Sequence, residues 1–343
     1  IFAGLMIRVG GPLAHVWLKD VVSHASGAGG AALSAFSTML GVYALARLFG
    51  AEPLLTPIGA AMILIGIVYA AAEDDLRRAA AYAQTAQTGV CLALVGIGSP
   101  LAQAGASAHA FALVLAFVLL QMVLGAIVAR LGDARSSSAQ GIARAMPISG
   151  VLLFCAGAAI AGAPGSAVYA STAVALEAVG QWETRWVWTL VGVTSEALFA
   201  AFAMRATLAV YLQPSPQRRF QEAPFAMLLA CIIGLFLCFA VGVAPSWLFR
   251  LMPSDLGFAP FALDRLAPQF ELLGVAGVAY LALRAFGLAP KPRAQTLLDV
   301  DSLYRGPVAG AGRWLGVVLL RLYGAWREAL ERLWRQLARA IGR

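Results

Sequence analysis

Apolar residues run in stretches of about twenty along the whole chain. Short segments rich in Gly, Pro, Asp and Arg separate them. Helices rise 1.5 Å per residue, so runs of about this length with few charges predict membrane-crossing helices. The pattern places spans at 1–18, 28–49, 55–72, 80–100, 109–130, 147–180, 188–212, 224–248 and 271–290. Two of them are interrupted, the first by G-G-P at 10–12 and the other by G-A-P-G at 162–165. The predicted fold is all-α: a polytopic transmembrane helical bundle with two interrupted helices. A last segment, 312–343, begins apolar and turns amphipathic. Trp326, Leu330, Leu333, Leu337 and Ile341 recur at helical spacing, and Arg327, Glu331, Arg335 and Arg339 lie on another face. That pattern predicts a helix lying along a membrane surface or a partner subunit. The expected organisation is thus a bundle over 1–290, a cytoplasmic linker over 291–311 and an amphipathic C-terminal helix over 312–343.

Composition agrees. Of 343 residues, 61% are hydrophobic and 12% charged, with a mean hydropathy of +0.80. Soluble domains carry about twice that share of charge. The net charge of +8 follows from topology. Loops on one side hold Lys19, Arg77, Arg78, Arg130, Arg135, Arg144, Arg218, Arg219, Lys291, Arg293 and Arg305. Those on the other hold only Arg47, Arg185, Arg250 and Arg265. The cation-rich side is therefore expected in the cytoplasm, facing anionic headgroups, so the charge gives no reason to expect nucleic acid. The expected location is a bacterial inner membrane, with lipid and other membrane subunits as partners. Cys91, Cys155, Cys231 and Cys238 stand singly in apolar runs, which favours packing over metal or disulfide chemistry. No phosphate-binding glycine motif or nucleophile elbow stands out, so soluble-enzyme chemistry and a bound cofactor are not expected.

Paired breaks in membrane helices mark ion paths in some transporters, because backbone freed at a break needs protein or water to satisfy it; a simple proline kink is the plainer alternative. The surrounding motifs bear on the choice. A-L-S-A-F-S-T-M-L-G-V-Y-A-L-A-R (32–47), D-D-L-R-R-A-A-A-Y-A-Q-T-A-Q-T-G (74–89), Q-G-I-A-R-A-M-P (140–147) and A-G-A-P-G (161–165) follow in order. Over residues 1 to about 212 they resemble the proton-conducting antiporter-like family. That family includes the L, M and N subunits of respiratory complex I and the A and D subunits of multisubunit cation/proton antiporters. A-Q-T-L-L-D-V-D-S-L-Y-R (294–305) resembles a tail element of the D-type members. The resemblance implies a fold of about fourteen helices, of which this chain begins at the seventh.

The resemblance also implies where proton-handling groups belong, and here most are replaced. Arg8 stands at a family lysine, seven residues before His15; the family's other lysine positions fall on Met39, Leu113 (if His109 is matched) and Thr172. Arginine stays charged where a buried lysine can release its proton. Arg8 is therefore expected to be a fixed, buried charge at the first break, held by a carboxylate or by freed carbonyls. The remaining polar candidates are His15, Tyr82, Gln87, His109, Glu177, Glu196 and Arg205. Each reads either as part of an ion path or as a satisfied polar group. His15 suits a helix end; Tyr82 and Gln87 suit channel water or a polar core. Asp75, Arg77 and Arg78 suit helix capping or subunit coupling. Glu196 and Arg205 are nine residues apart, on opposite sides of one helix, so each needs a partner elsewhere. The expected function is an antiporter-like membrane subunit whose own proton path has degenerated and whose role is structural. The alternatives are a working subunit of a cation/proton antiporter, or a proton-translocating membrane subunit of a redox-driven complex.

Overall fold

The computed structural model describes residues 1–136, 142, 145–182, 185–211, 221–252, 258–289 and 300–341. Among the expected loop cations, Arg144, Arg218, Arg219, Lys291 and Arg293 lie outside the described residues. So do the side chains of Arg305, Leu333, Leu337, Arg339 and Ile341. The chain forms two compact units, Ile1–Gln295 and Thr296–Arg343.

The first unit is a helical bundle. Helix α1 (Phe2–Arg8) and α2 (Val16–His24) are the halves of the first interrupted helix. Helix α3 (Gly27–Ala32) continues through a π segment (Leu33–Ser37) into α4 (Thr38–Leu48). Helices α5 (Leu55–Ala72), α6 (Leu76–Ile97) and α7 (Pro100–Leu131) follow. The second interrupted helix is α8 (Pro147–Ile160) and α9 (Ala167–Gln181). Helix α10 (Arg185–Leu198) passes into a second π segment, Phe199–Tyr211. Then come α11 (Phe225–Val243), the short α12 (Pro245–Phe249) and α13 (Leu263–Ala285). Among the described residues, six stretches are long and apolar enough to cross a membrane, and α8 is a shorter apolar helix. The protein is a multi-pass membrane protein.

Both expected breaks are present. Gly10 and Gly162 adopt φ of +74° and +73°, the left-handed region that favours glycine. Elsewhere the boundaries move for local reasons. The fifth span begins at Pro100 rather than 109, because Ser99 caps it through the Ala102 amide and Pro100 starts it. The last span of the unit runs from 263 to 285 rather than 271 to 290, with Pro268 inside it. Lys19, counted above as a loop cation, is instead buried in α2, with its Nζ 5.9 Å from the centre of the Tyr82 ring. The aromatic face lets a cationic tip lie inside the bundle.

Helix α6 is the centre of the bundle. Only Arg78 among Leu76–Ile97 is not buried. Its Ala, Gly and Thr residues let neighbours approach closely, as packing in lipid requires. On the α5 side, glycines recur every seven residues on both helices: Gly59 and Gly66, Gly89 and Gly96. A Cβ placed on Gly59 would lie 2.4 Å from the Gly89 carbonyl oxygen. A seven-residue repeat keeps one seam facing a partner helix at a shallow crossing angle.

The second unit contains α14 (Val300–Leu303), a π segment (Tyr304–Val308) and α15 (Ala309–Ile341). Helix α15 is amphipathic. Trp314, Leu320, Tyr323, Trp326 and Trp334 are exposed, while Glu331 pairs with Arg327 at 3.3 Å and Arg335 at 3.5 Å.

Candidate functional site

The polar candidates fall into four groups, set by the two breaks. At the first break Gly11 N donates to Met6 O and the Trp17 indole to Ile7 O, so the end of α1 is satisfied locally. His15 is the N-cap residue of α2, with Nδ1 2.9 Å from Pro12 O. Its ring lies 5.8 Å from Tyr82, which stacks on Tyr69 at 5.1 Å. Arg8 corrects the expectation. It is exposed rather than buried, and its Nε donates to Ser37 O at 3.0 Å, a carbonyl of the π segment and not of the break. Ser37 is also the N-cap residue of α4, so Arg8 bonds where the π segment hands over to the α-helix.

The second group lies at the second break. Gln87 Nε2 donates to Ile160 O at 2.6 Å, the last carbonyl of α8. Gln87 Oε1 is 3.1 Å from His109 Nε2, and His109 Nδ1 is 2.9 Å from Ser171 Oγ. Ser171 Oγ also lies 3.0 Å from Val168 O. Four helices (α6, α7, α8 and α9) meet in one hydrogen-bonded chain whose side chains are all buried. His109 can be satisfied in both protonation states here. Neutral, it donates Nε2–H to Gln87 and accepts the Ser171 hydroxyl at Nδ1. Charged, it donates from both nitrogens while Ser171 turns its proton to Val168 O. Only a hydroxyl rotates between the two. Beside this chain, Gln84 Nε2 donates to Ser34 O at 2.7 Å and to Thr38 Oγ1. Thr88 Oγ1 and Gln84 Oε1 are buried without a partner among the described residues.

The third group surrounds a cavity of about 570 Å³ walled by α9, α10 and α13. It brings together Thr172, Glu177 and Glu196. Arg265 Nη2 lies 3.3 Å from Glu177 Oε2, and its guanidinium sits 4.2 Å from the Phe258 ring centre. Gln269 reaches from α13 to donate to Gly162 O at 3.0 Å, satisfying a carbonyl of the break.

The fourth group closes the end expected to face the cytoplasm. Arg205 is 2% exposed and donates to Glu73 O at 3.0 Å and Ala70 O at 3.2 Å. It thereby caps the C-terminus of α5, whose unpaired carbonyls carry the negative end of the helix dipole. Arg77 does the same for α2, donating to the Ser23 and Ala25 carbonyls. Asp75 caps α6 through the Arg77 and Arg78 amides. Burial pushes the Glu73 carboxyl above its ordinary value, opposed by amide bonds from Asp75 and Asp74 and by the charge of Arg78. The partners that Arg205 was expected to need are thus backbone carbonyls of another helix. Glu196 has no hydrogen bond or ion pair among the described residues.

Two of the positions where the resemblance implies lysine carry apolar side chains packed in the bundle. Met39 and Leu113 belong to the same continuous apolar core as Val9 and Val42. Sequence reasoning missed Ser171, Gln269, Tyr169 and Glu222, since nothing local marks them. Glu222 caps α8 across more than seventy residues, taking the Ile148 amide at 2.9 Å and the Ser149 hydroxyl. Tyr169 Oη donates to Pro260 O at 2.7 Å.

Residues 1–198 match the family model described as "NADH:quinone oxidoreductase/Mrp antiporter, TM". The chain is 30% identical over 276 residues to NADH-quinone oxidoreductase subunit N of Desulforudis audaxviator, covering 73% of this chain and 54% of that one. It is 24% identical over 268 residues to the F(420)H(2) dehydrogenase subunit N of Methanosarcina mazei, covering 72% and 54%. The chain thus spans about half the length of these curated relatives. Its fold is similar to a chain of the membrane-bound sulfane sulfur reductase, an archaeal respiratory membrane complex, with a TM-score of 0.68 and 23% identity over 96% of this chain and 62% of that one. It is also similar to a chain of the Mrp complex from Dietzia sp. DQ12-45-1b, with a TM-score of 0.66 and 16% identity over 83% and 59%. With more than half its residues matched by the family model and both interrupted helices in place, the chain belongs to the NADH:quinone oxidoreductase/Mrp antiporter transmembrane family.

Proposed function

We propose that the chain is part of an antiporter-like membrane subunit of a multisubunit complex, where it docks and seals and has no continuous proton path of its own. The observation that carries this reading is the packing of Met39 and Leu113 into the apolar core at two positions where the resemblance puts lysine. Thr172 is neutral at a third and Arg8 is exposed at a fourth. Between the His15–Lys19 group and His109, α6 offers only neutral side chains: Gln84, Thr85, Gln87 and Thr88. A proton route through a membrane needs titratable groups or ordered water at short intervals. The relatives named as N subunits of quinone and F(420)H(2) oxidoreductases favour a redox-driven complex over a cation antiporter. The D-type likeness of 294–305 supports the antiporter alternative. A bacterial inner membrane, with other membrane subunits and lipid as partners, completes the proposal.

Conduction is the second reading, and the His109 site favours it, since that site can hold or release a proton with one hydroxyl rotation. Proton flux in reconstituted vesicles separates the two. The sealed reading expects flux at the level of empty vesicles for both the parent and His109→Leu. Flux above that level, lost in His109→Leu, overturns it.

The exposed aromatic face of α15 fits a strap along a membrane surface or partner. Deleting 324–343 is expected to leave the bundle inserted while complex yield falls by about half or more. An unchanged yield argues against the partner role.

A further inference from the structure

The cavity between α9, α10 and α13 carries charge that no group in the bundle answers. It lies in the half of the bundle away from the Arg205 cluster, its depth marked by Thr172 and Gln269 beside the second break. Glu177, Glu196 and Asp264 line it against one cation, Arg265. That cation is already committed to Glu177, to the Ala259 carbonyl and to the Phe258 ring. Asp264 is exposed at the first turn of α13. Glu196 is half-buried on an apolar span, on the cavity wall. A carboxylate in such a span is costly unless something pairs with it.

A second observation points to an occupant. Thr172 is 4% exposed and lines the cavity, and its hydroxyl makes no hydrogen bond among the described residues. On an otherwise buried residue, that hydroxyl opens onto the cavity and can bond an occupant there. The remaining wall suits an apolar body. Leu176, Val193 and Leu272 supply aliphatic surface, and Trp188 supplies an aromatic face for a cation. The volume falls within the roughly 300–1,000 Å³ typical of small-molecule sites.

We propose that this cavity binds an organic cation, an ammonium carried on an aromatic or aliphatic body, with Glu196 as its counter-ion and Thr172 as a hydrogen-bond acceptor. The proposal does not depend on whether the subunit conducts protons. A bare metal ion would need several converging oxygens at short range, and this wall is mostly apolar. An ammonium with an attached ring satisfies the carboxylate, the hydroxyl and the apolar wall together.

The test uses the full chain in nanodiscs of zwitterionic phosphatidylcholine, titrated calorimetrically with 1-naphthylmethylamine. The neutral isostere 1-naphthalenemethanol and sodium chloride alone are titrated in parallel. Saturable binding of the amine is expected, at least ten-fold weaker in Glu196→Gln and retained in Glu196→Asp. The alcohol should bind at least ten-fold more weakly than the amine. Thr172→Lys, which places the protein's own ammonium in the cavity, should abolish amine binding. Thermal unfolding of each variant at the parent's midpoint establishes that the loss is local. Equal affinity for parent and Glu196→Gln overturns the proposal. So does equal binding of amine and alcohol, saturable heat from sodium alone, or no saturable amine binding.

Discussion

Arg205→Met will lower the stability of the purified protein by about 3 kcal/mol, read as a fall in its unfolding midpoint in detergent. Methionine has nearly the length of arginine, so the apolar stem remains and little volume is lost. What disappears is the guanidinium that donates to the carbonyls of Ala70 and Glu73. Hydrogen bonds from a charged donor contribute about 1.5–3 kcal/mol each, and carbonyls left buried and unpaired lose that contribution. Attraction to the C-terminal end of α5 adds to the loss. Arg205→Lys keeps the charge but not the fork that spans two carbonyls, so it should lose about half as much. A midpoint unchanged in Arg205→Met would remove the capping role. Equal loss in the lysine and methionine variants would mean that geometry alone, without charge, matters.

Arg205 illustrates which parts of this molecule are legible in its sequence. A charge in an apolar run announces itself, and so does its need for a partner. The partner, a helix end more than 130 residues away in the chain, leaves no mark in the run itself. The same division holds for the fold. Apolar runs and glycine–proline pairs locate nearly every span and both breaks, because bilayer thickness and left-handed backbone geometry impose them directly. Span ends are less legible where capping decides them, as with Ser99 at the start of α7 and the Asp75 cap of α6. The π segments at 33–37 and 199–211 left no signal, since both read as ordinary apolar helix. The first of them nevertheless offers Ser34 O to Gln84 and Thr38, a contact that no local pattern announces. The order of family motifs located His109, Gln87 and Thr172. Only the packed bundle places His109 between Gln87 and Ser171 and turns the adjacent Thr172 toward a cavity shared with Glu196.

The second large effect is expected at Gly89, where backbone meets backbone. A Cβ placed there would lie 2.5 Å from the Gly59 carbonyl oxygen and 2.9 Å from the Ile63 amide nitrogen. Neither atom belongs to a flexible side chain, so α5 and α6 must separate to admit even a methyl group. Alanine gains about 1 kcal/mol of helix propensity over glycine, which offsets part of the strain. Valine gains less propensity and needs more room, so Gly89→Val is expected to cost more than about 3 kcal/mol, at or above the usual range for overpacking. Gly274 in α13 is the control. Nothing lies within 4 Å of its would-be Cβ, so Gly274→Ala should be neutral or slightly stabilising. The effect at Gly89 should also reach the polar chain at the second break. Gln87 is two residues away on the same helix, and its 2.6 Å bond to Ile160 O has little tolerance for a displaced backbone. The His109 ring resonances, followed by NMR in the detergent-solubilised protein, should therefore shift in Gly89→Ala and stay in place in Gly274→Ala. A Gly89→Val protein that unfolds at the parent's midpoint would show that the α5–α6 seam is looser than these distances require. His109 would then be held by α7 and α9 without help from the seam.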